Sequence, residues 1–212
     1  MHRAVAVRCI FIRTEYMRKS TSHRYFLMYN PYGVHCRFRP GEGQKGLGDV
    51  YDFPNDVYPV GRLDADSEGL LLLTNDPSLN SMLLDPDRGH ERTYWVQVEG
   101  LITDEAIWRL CQGVSIRVEG KEYRTRPARA NRIGTPALPD RNPPIRFRKT
   151  VPDSWLELSL REGKNRQVRR MTAAVGFPTL RLARVAIGNL TMQDPFSGKV
   201  MELSKIELLE SL

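Results

Sequence analysis

The sequence predicts an α+β protein built on a mixed, mainly antiparallel sheet. Three observations carry that prediction. Short runs alternate at the two-residue period of half-buried strands, only brief segments between them follow helical spacing, and proline and glycine punctuate the joins. At 212 residues, with 41% apolar and 27% charged side chains, the chain is long enough to bury a sizeable core. Its apolar runs fall far short of the roughly 20 residues of a membrane span, so no membrane partner is expected. Cys9, Cys36 and Cys111 are odd in number and widely spaced. They support neither a disulfide framework nor a zinc knuckle and fit a reducing, cytoplasmic setting.

Residues 1–23 read as a basic N-terminal arm, and residues 24–212 as one domain without an obvious linker or repeat. From Arg24 to Cys36 the pattern is strand, Asn30-Pro31-Tyr32-Gly33 turn, second strand. Gly41-Glu42-Gly43-Gln44-Lys45-Gly46 matches the GxGxxG spacing of a dinucleotide site, but Pro54, Pro59 and Gly61 leave no room for the helix that motif requires, so a loop is expected. Val57 to Leu63 and Gly69 to Thr74 read as strands, followed by a helix opened by Asp76 and Pro77 with Leu79, Met82 and Leu83 on one face. Thr93 to Glu99 alternates as a strand, and Thr103 caps a helix reaching Cys111. Residues 124–150, rich in arginine and proline, read as an irregular insertion. Ser154 to Leu160 is a strand, Lys164 to Val175 a helix ended by Gly176, Thr179 to Leu190 and Lys199 to Leu203 are strands, and Lys205 to Leu212 is a short terminal helix.

The net charge of +7 is concentrated. Residues 1–24 carry +5, residues 121–149 carry +7 and residues 161–184 carry +6, while the remainder is acidic. Such clusters are the footprint expected for a polyanion, with RNA or DNA foremost.

The chemically loaded stretch is Gly61-Arg62-Leu63-Asp64-Ala65-Asp66-Ser67-Glu68-Gly69, followed by Leu70 to Leu73. Three readings compete. The alternating acids resemble the opening of a calcium loop, but the twelfth position is Asn75 where a bidentate Glu is needed, and the flanks are strands. The acids could simply decorate a polar turn. Or Asp64 is a reactive carboxylate kept ionised by an arginine, for which residues 161–184 offer a supply. Spacing alone does not choose between the last two.

The string Gly61-Arg62-Leu63-Asp64-x-x-Ser67-x-Gly69, with Leu70 to Leu73 and Thr74-Asn75-Asp76, resembles the catalytic motif of the RsuA branch of RNA pseudouridine synthases. Glu162-Gly163-Lys164-Asn165-Arg166-Gln167-Val168-Arg169-Arg170-Met171 is similar to that branch's third motif, and Thr93-Tyr94-Trp95-Val96 sits where its tyrosine motif belongs. Arg141 to Ile145, Ser154-Trp155-Leu156 and Val175 to Leu180 resemble most the E group that acts on the large ribosomal subunit. Asn30 stands where the family's first motif usually has a lysine. The residues ahead of the first strand leave no room for the S4-type RNA-binding domain common in the branch, so a chain without one is expected, as in the E group.

The resemblance implies the pseudouridine synthase fold, a sheet in two halves around a central cleft. It also implies a reaction: isomerisation of a uridine to pseudouridine in large-subunit (23S) ribosomal RNA, with no cofactor and no metal. Asp64 would be the essential carboxylate, attacking the ribose or removing its 2′ proton, and Arg169 would pair with it from the opposite wall. Tyr94 would stack on the uracil and take the carbon 5 proton, and Arg62 would fill the space the flipped base leaves. Lys164, Arg166 and Arg170 are expected RNA contacts, Asp66 and Glu68 turn residues, and the leucines a buried strand that holds Asp64 still. A monomer is expected. The alternative from another class is a non-catalytic RNA-binding or ribosome-assembly protein, against which Asp64, Tyr94 and Arg169 stand together.

Overall fold

A computed structural model of the chain describes residues 23–85, 89–145, 150–191 and 200–212. The basic arm expected over residues 1–23 lies outside these except for His23. In chain order the elements are strands β1 (Tyr25–Asn30), β2 (Val34–His35), β3 (Lys45–Gly46), β4 (Tyr58–Pro59) and β5 (Glu68–Thr74), helix α1 (Pro77–Leu84), strand β6 (Arg92–Glu99) and helix α2 (Asp104–Gln112). Strands β7 (Ser115–Val118), β8 (Lys121–Arg124), β9 (Arg129–Ile133) and β10 (Asp153–Leu160) precede helix α3 (Gln167–Ala174). Strands β11 (Thr179–Ile187), β12 (Leu190–Thr191) and β13 (Val200–Leu203) and helix α4 (Lys205–Glu210) complete the fold.

Among the described residues, nine strands form one sheet in the order β13-β1-β5-β11-β6-β10-β9, with β4 also on β5 and β12 on β11. Its pairings are antiparallel except at β5–β11, where only Ala183↔Glu68 and Arg184↔Gly69 register in parallel. This short seam divides the sheet into two halves, each with its own core. Along β5 the four leucines alternate between faces. Leu70 and Leu72 pack with Tyr25, Leu27, Leu79, Leu83 and Leu208, and Leu71 and Leu73 pack with Phe26, Met28, Leu47 and Phe53. The far half buries Val96, Val98, Leu156 and Leu158 of the sheet against Leu110 of α2 and Met171 of α3. Every residue of β5 is buried, which explains an unbroken apolar run where a one-sided strand would alternate.

Several expectations need correction. Val57 to Leu63 does not form a strand: only Tyr58 and Pro59 pair with β5, extended by the Val60 amide donating to the Leu72 carbonyl at 2.8 Å. Beyond that point the same edge of β5 is taken by β11, so the chain must leave the sheet, and Gly61 at φ +68° makes the bend. Residues 61–67 are thereby carried over the seam. Within the stretch expected to be irregular, Arg129–Ile133 is an edge strand on β10. Its faces are largely exposed, so no apolar alternation marks it. The β7–β8 hairpin turns through Glu119 and Gly120, both at positive φ, and was not anticipated. The helix expected from Lys164 begins only at Gln167, because Arg166 adopts the left-handed conformation (φ 50°, ψ 34°). The last long strand stops at Ile187, where Gly188 (φ +59°) turns the chain into β12. Helix α2 is capped as expected: the Thr103 hydroxyl accepts from the Ala106 amide. No helix among the described residues is long and apolar enough to cross a membrane.

Candidate active site

The turn that carries Asp64 is pinned from three sides. The Ser67 amide donates to the Asp64 carbonyl at 2.9 Å, the Gly33 amide to the Ala65 carbonyl at 2.8 Å, and the Leu63 amide to the Cys36 sulfur at 3.2 Å. Leu63 and Ser67 are buried on either side of a partly exposed Asp64. The turn then enters β5 at Glu68 and Gly69. Gly69 lies against β11 so closely that a β-carbon there would collide with the Arg184 backbone, and its φ of +110° disfavours any other residue. Only glycine lets the two halves meet here.

A cavity of about 500 Å³ opens above this seam. Asp64 and Arg62 line it from the turn, Tyr94 from β6, Arg184 from β11, and Lys164 and Arg166 from the approach to α3. Five of the seven expected site residues, Asp64, Tyr94, Arg62, Lys164 and Arg166, therefore share one space. Its size suits a nucleoside.

Arg169 and Arg170 do not line the cavity. Arg169 sits behind the turn, its Nε 3.4 Å from the Asp66 carboxylate and its Nη2 donating to the Asp66 carbonyl oxygen. Burial lowers its pKa, an effect the charge of Asp66 opposes. Asp64 instead has Arg166 as its ion-pair partner, with Nη1 3.7 Å from Oδ2. The expected Asp64–Arg169 pair is thus replaced by a four-member cluster in which Asp66 is the shared acceptor. Arg166 forks onto Asp66 at 3.0 and 2.6 Å. For Asp66, burial pushes the carboxyl pKa up, but the Arg166 bonds and the Arg169 charge outweigh it and leave it lowered. Asp66 is consequently no mere turn residue. It absorbs the arginines and leaves Asp64 as the carboxylate least engaged. Arg170 is a brace: it donates to the Asn165 carbonyl at 3.0 Å, to the Asn165 side chain at 3.1 Å and to the Arg117 carbonyl.

The approach to α3 is built for this purpose. Glu162 accepts from the Tyr123 hydroxyl at 2.5 Å, the Arg126 amide at 2.9 Å and the Gln167 amide group at 2.5 Å, and Gln167 in turn accepts from the Lys164 amide at 2.9 Å. With those bonds in place Arg166 is held in its left-handed conformation, a strained choice for a side chain with a β-carbon, and directed at the Asp64 turn.

Sequence reasoning missed two residues. Arg181 and Arg184, counted there in a basic surface cluster, are 9% and 4% exposed. Arg181 grips Glu68 with Nε at 2.5 Å and Nη2 at 3.0 Å, and the Tyr29 hydroxyl donates to the same carboxylate at 2.8 Å. Glu68, expected in the turn, is therefore a buried acid that ties β5 to β11 and β1. Burial opposes the Arg181 cation, but Glu68 more than offsets it and the pKa is raised. Arg184 donates from Nε to the Leu70 carbonyl at 2.9 Å. The signal was present: charged residues interrupting an otherwise apolar strand, Leu180 to Ile187, are buried for a reason more often than not.

Comparison with known proteins identifies the family. The family model described as RNA pseudouridylate synthase matches residues 24–174. The ribosomal large subunit pseudouridine synthase E of Vibrio vulnificus is 46% identical over 186 residues, covering 87% of this chain and 77% of its own. Its counterpart from Xanthomonas axonopodis is 51% identical over 166 residues, covering 77% of this chain and 85% of its own. The ribosomal large subunit pseudouridine synthase B of Bacillus subtilis is 34% identical, covering 87% and 69%. A crystal structure of a pseudouridylate synthase superposes with a TM-score of 0.74 at 24% identity, over 90% of this chain and 74% of that one, so the architecture is shared. The chain belongs to the RNA pseudouridylate synthase family.

Proposed function

We propose that this chain isomerises one uridine in the RNA of the large ribosomal subunit, with the Asp64 carboxylate as the reacting group and no cofactor. The observation that carries the role of Asp64 is the unequal sharing of arginines: Asp66 takes the Arg166 fork at 3.0 and 2.6 Å and has Arg169 Nε 3.4 Å away, whereas Asp64 keeps one contact at 3.7 Å and faces the cavity. A carboxylate with free lone pairs, held beside a cation, is placed to attack or to accept a proton. The large-subunit target is supported by the two E-type relatives at 46% and 51% identity.

A uridine stacked in RNA cannot reach this carboxylate, so it must be extruded, at a cost of a few kcal/mol that phosphate contacts help offset. Lys164 and Arg166 at the cavity and the basic arm of residues 1–23 supply those contacts. Arg62, exposed at the rim, fills the vacated stack. Tyr94 lies against the base and takes the carbon 5 proton. Arg169 acts through Asp66, holding the turn so that Asp64 keeps its aim. The enzyme works as a cytoplasmic monomer.

Tritium release from RNA labelled at uracil carbon 5 tests the reading. Wild type releases label from large-subunit ribosomal RNA or its precursor particles, and Asp64→Ala does not. Equal release by both overturns the role of Asp64. Absence of release by wild type on either substrate favours a non-catalytic RNA-binding protein.

A further inference from the structure

Arg184 is the group in this site that the chemistry above leaves unused. It is 4% exposed, lines the same cavity as Asp64 and Tyr94, and has no carboxylate partner among the described residues. Its Nε is satisfied by the Leu70 carbonyl, but its Nη2 is buried with no hydrogen-bond partner at all. Gly69, Arg184 and Tyr94 stand in one row across β5, β11 and β6. With no side chain at Gly69, that row presents only the guanidinium and the phenol ring to the space above the seam. Burial lowers the Arg184 pKa, Arg92 adds like-charge repulsion, and Tyr94 is the leading neighbour that opposes these effects. A fixed cation without a counter-charge is costly to bury and is retained where an anion arrives later.

The reaction brings such an anion. Breaking the bond between ribose carbon 1′ and N1 leaves both electrons on the uracil, whose negative charge spreads over N1 and the two carbonyl oxygens. The ring then rotates, a ring pair forms the bond from carbon 5 to carbon 1′, the carbon 5 proton is lost and N1 takes one up, so no electron or atom is gained. We propose that Arg184 is a substrate-contacting residue whose free Nη2 donates to a carbonyl oxygen of the flipped uracil and stabilises the detached ring anion. A donor set in place before charge develops, in a site shielded from water, acts mainly on the transition state. This assignment rests on the reading of the cavity as the uridine site.

The test combines Arg184→Gln and Arg184→Lys with RNA whose uridines carry sulfur at carbon 2 or carbon 4, because a thiocarbonyl accepts hydrogen bonds weakly. Single-turnover rates are measured by tritium release, and thermal unfolding and RNA affinity are measured alongside. On all-oxygen RNA, Arg184→Gln is expected to slow turnover about 10²- to 10³-fold with little change in RNA affinity, and Arg184→Lys to recover part of the rate. Wild type is slowed by sulfur at one of the two positions, and in Arg184→Gln that penalty disappears. Sulfur and mutation penalties that simply multiply assign Arg184 to structure alone and overturn the proposal. A wild type indifferent to sulfur at both positions overturns it whatever the variants do. Wild type inactive on all-oxygen RNA overturns the reading of the cavity, and this assignment with it.

Discussion

Replacing Glu68 with glutamine removes one charge and almost no volume from the seam between the two halves. Glu68 is buried, its carboxylate takes two bonds from Arg181 at 2.5 and 3.0 Å and one from the Tyr29 hydroxyl at 2.8 Å, and Arg181 is itself 9% exposed. Breaking a buried pair by neutralising one member leaves the other as an uncompensated charge, at a cost of about 3–5 kcal/mol. For a chain of this length each kcal/mol moves the melting temperature by about 2–4 °C, so Glu68→Gln lowers it by about 6–20 °C. Circular dichroism melts at neutral pH read this directly. The loss is specific to an unpaired charge: the triple variant Glu68→Leu, Arg181→Met, Tyr29→Phe removes every polar side chain of the network, leaving the Pro139 carbonyl that Arg181 also bonds at 2.6 Å, and it melts above Glu68→Gln. A melting temperature for Glu68→Gln within about 2 °C of wild type refutes the claim that this pair holds the seam. A triple variant less stable than the single refutes the explanation by charge. Because Glu68 directly follows the Asp64 turn, tritium release by Glu68→Gln falls even at temperatures where the protein stays folded.

Arg166 and Arg170 separate chemistry from bracing. Arg166→Ala removes the fork onto Asp66 and the only ion-pair partner of Asp64 among the described residues, so single-turnover rates fall about 10- to 100-fold as the carboxylate loses its fixed position. Arg170→Ala, whose side chain does not line the cavity and which loses bonds to Asn165 and the Arg117 carbonyl, lowers the melting temperature by a few degrees and leaves RNA affinity unchanged within about twofold. Asp76 caps α1 by accepting from the Ser78 amide at 3.0 Å, and it also accepts from the buried Tyr25 hydroxyl at 2.8 Å. Asp76→Ala costs about 2–4 kcal/mol in urea melts, combining a lost cap with an orphaned hydroxyl. Burial works against the Asp76 carboxylate, but these bonds outweigh it and hold its pKa below the ordinary value of 3.8. A depressed folded pKa means its contribution is complete above the unfolded value and is lost as pH falls through the folded one. The stability gap between wild type and Asp76→Asn therefore narrows below about pH 4.

The parts of the fold legible in the sequence are those where one local rule decides. Strands β1, β6 and β10 carried their own patterns, and Asp76 with Pro77 announced α1, as Thr103 announced α2. The parts that stayed hidden are settled by neighbours. Val57 to Leu63 has strand composition, but β11 already occupies the edge it would need. Strand β9 is held by its ladder to β10 and shows solvent most of its side chains, so it carries polar residues. The start of α3 depends on Glu162 and Gln167 closing a loop that periodicity does not see.

The acids of the central turn make the same point at the level of chemistry. In sequence Asp64, Asp66 and Glu68 are equivalent, alternate members of one polar stretch, and a count of nearby arginines cannot tell them apart. The fold distinguishes them by how closely each engages the arginines. Glu68 enters β5 and meets Arg181 in the core, where the pair fastens the two halves. Asp66 takes the fork of Arg166 and the backing of Arg169, and so spends its lone pairs on holding the turn. Asp64 is left facing the cavity with the longest of these contacts, 3.7 Å. The proposed reactivity falls to Asp64 by subtraction: Glu68 and Asp66 engage the nearer arginine contacts, and Asp64 is the carboxylate left facing the cavity. A variant that freed Asp66 or Glu68 would then disturb the aim of Asp64 without touching it.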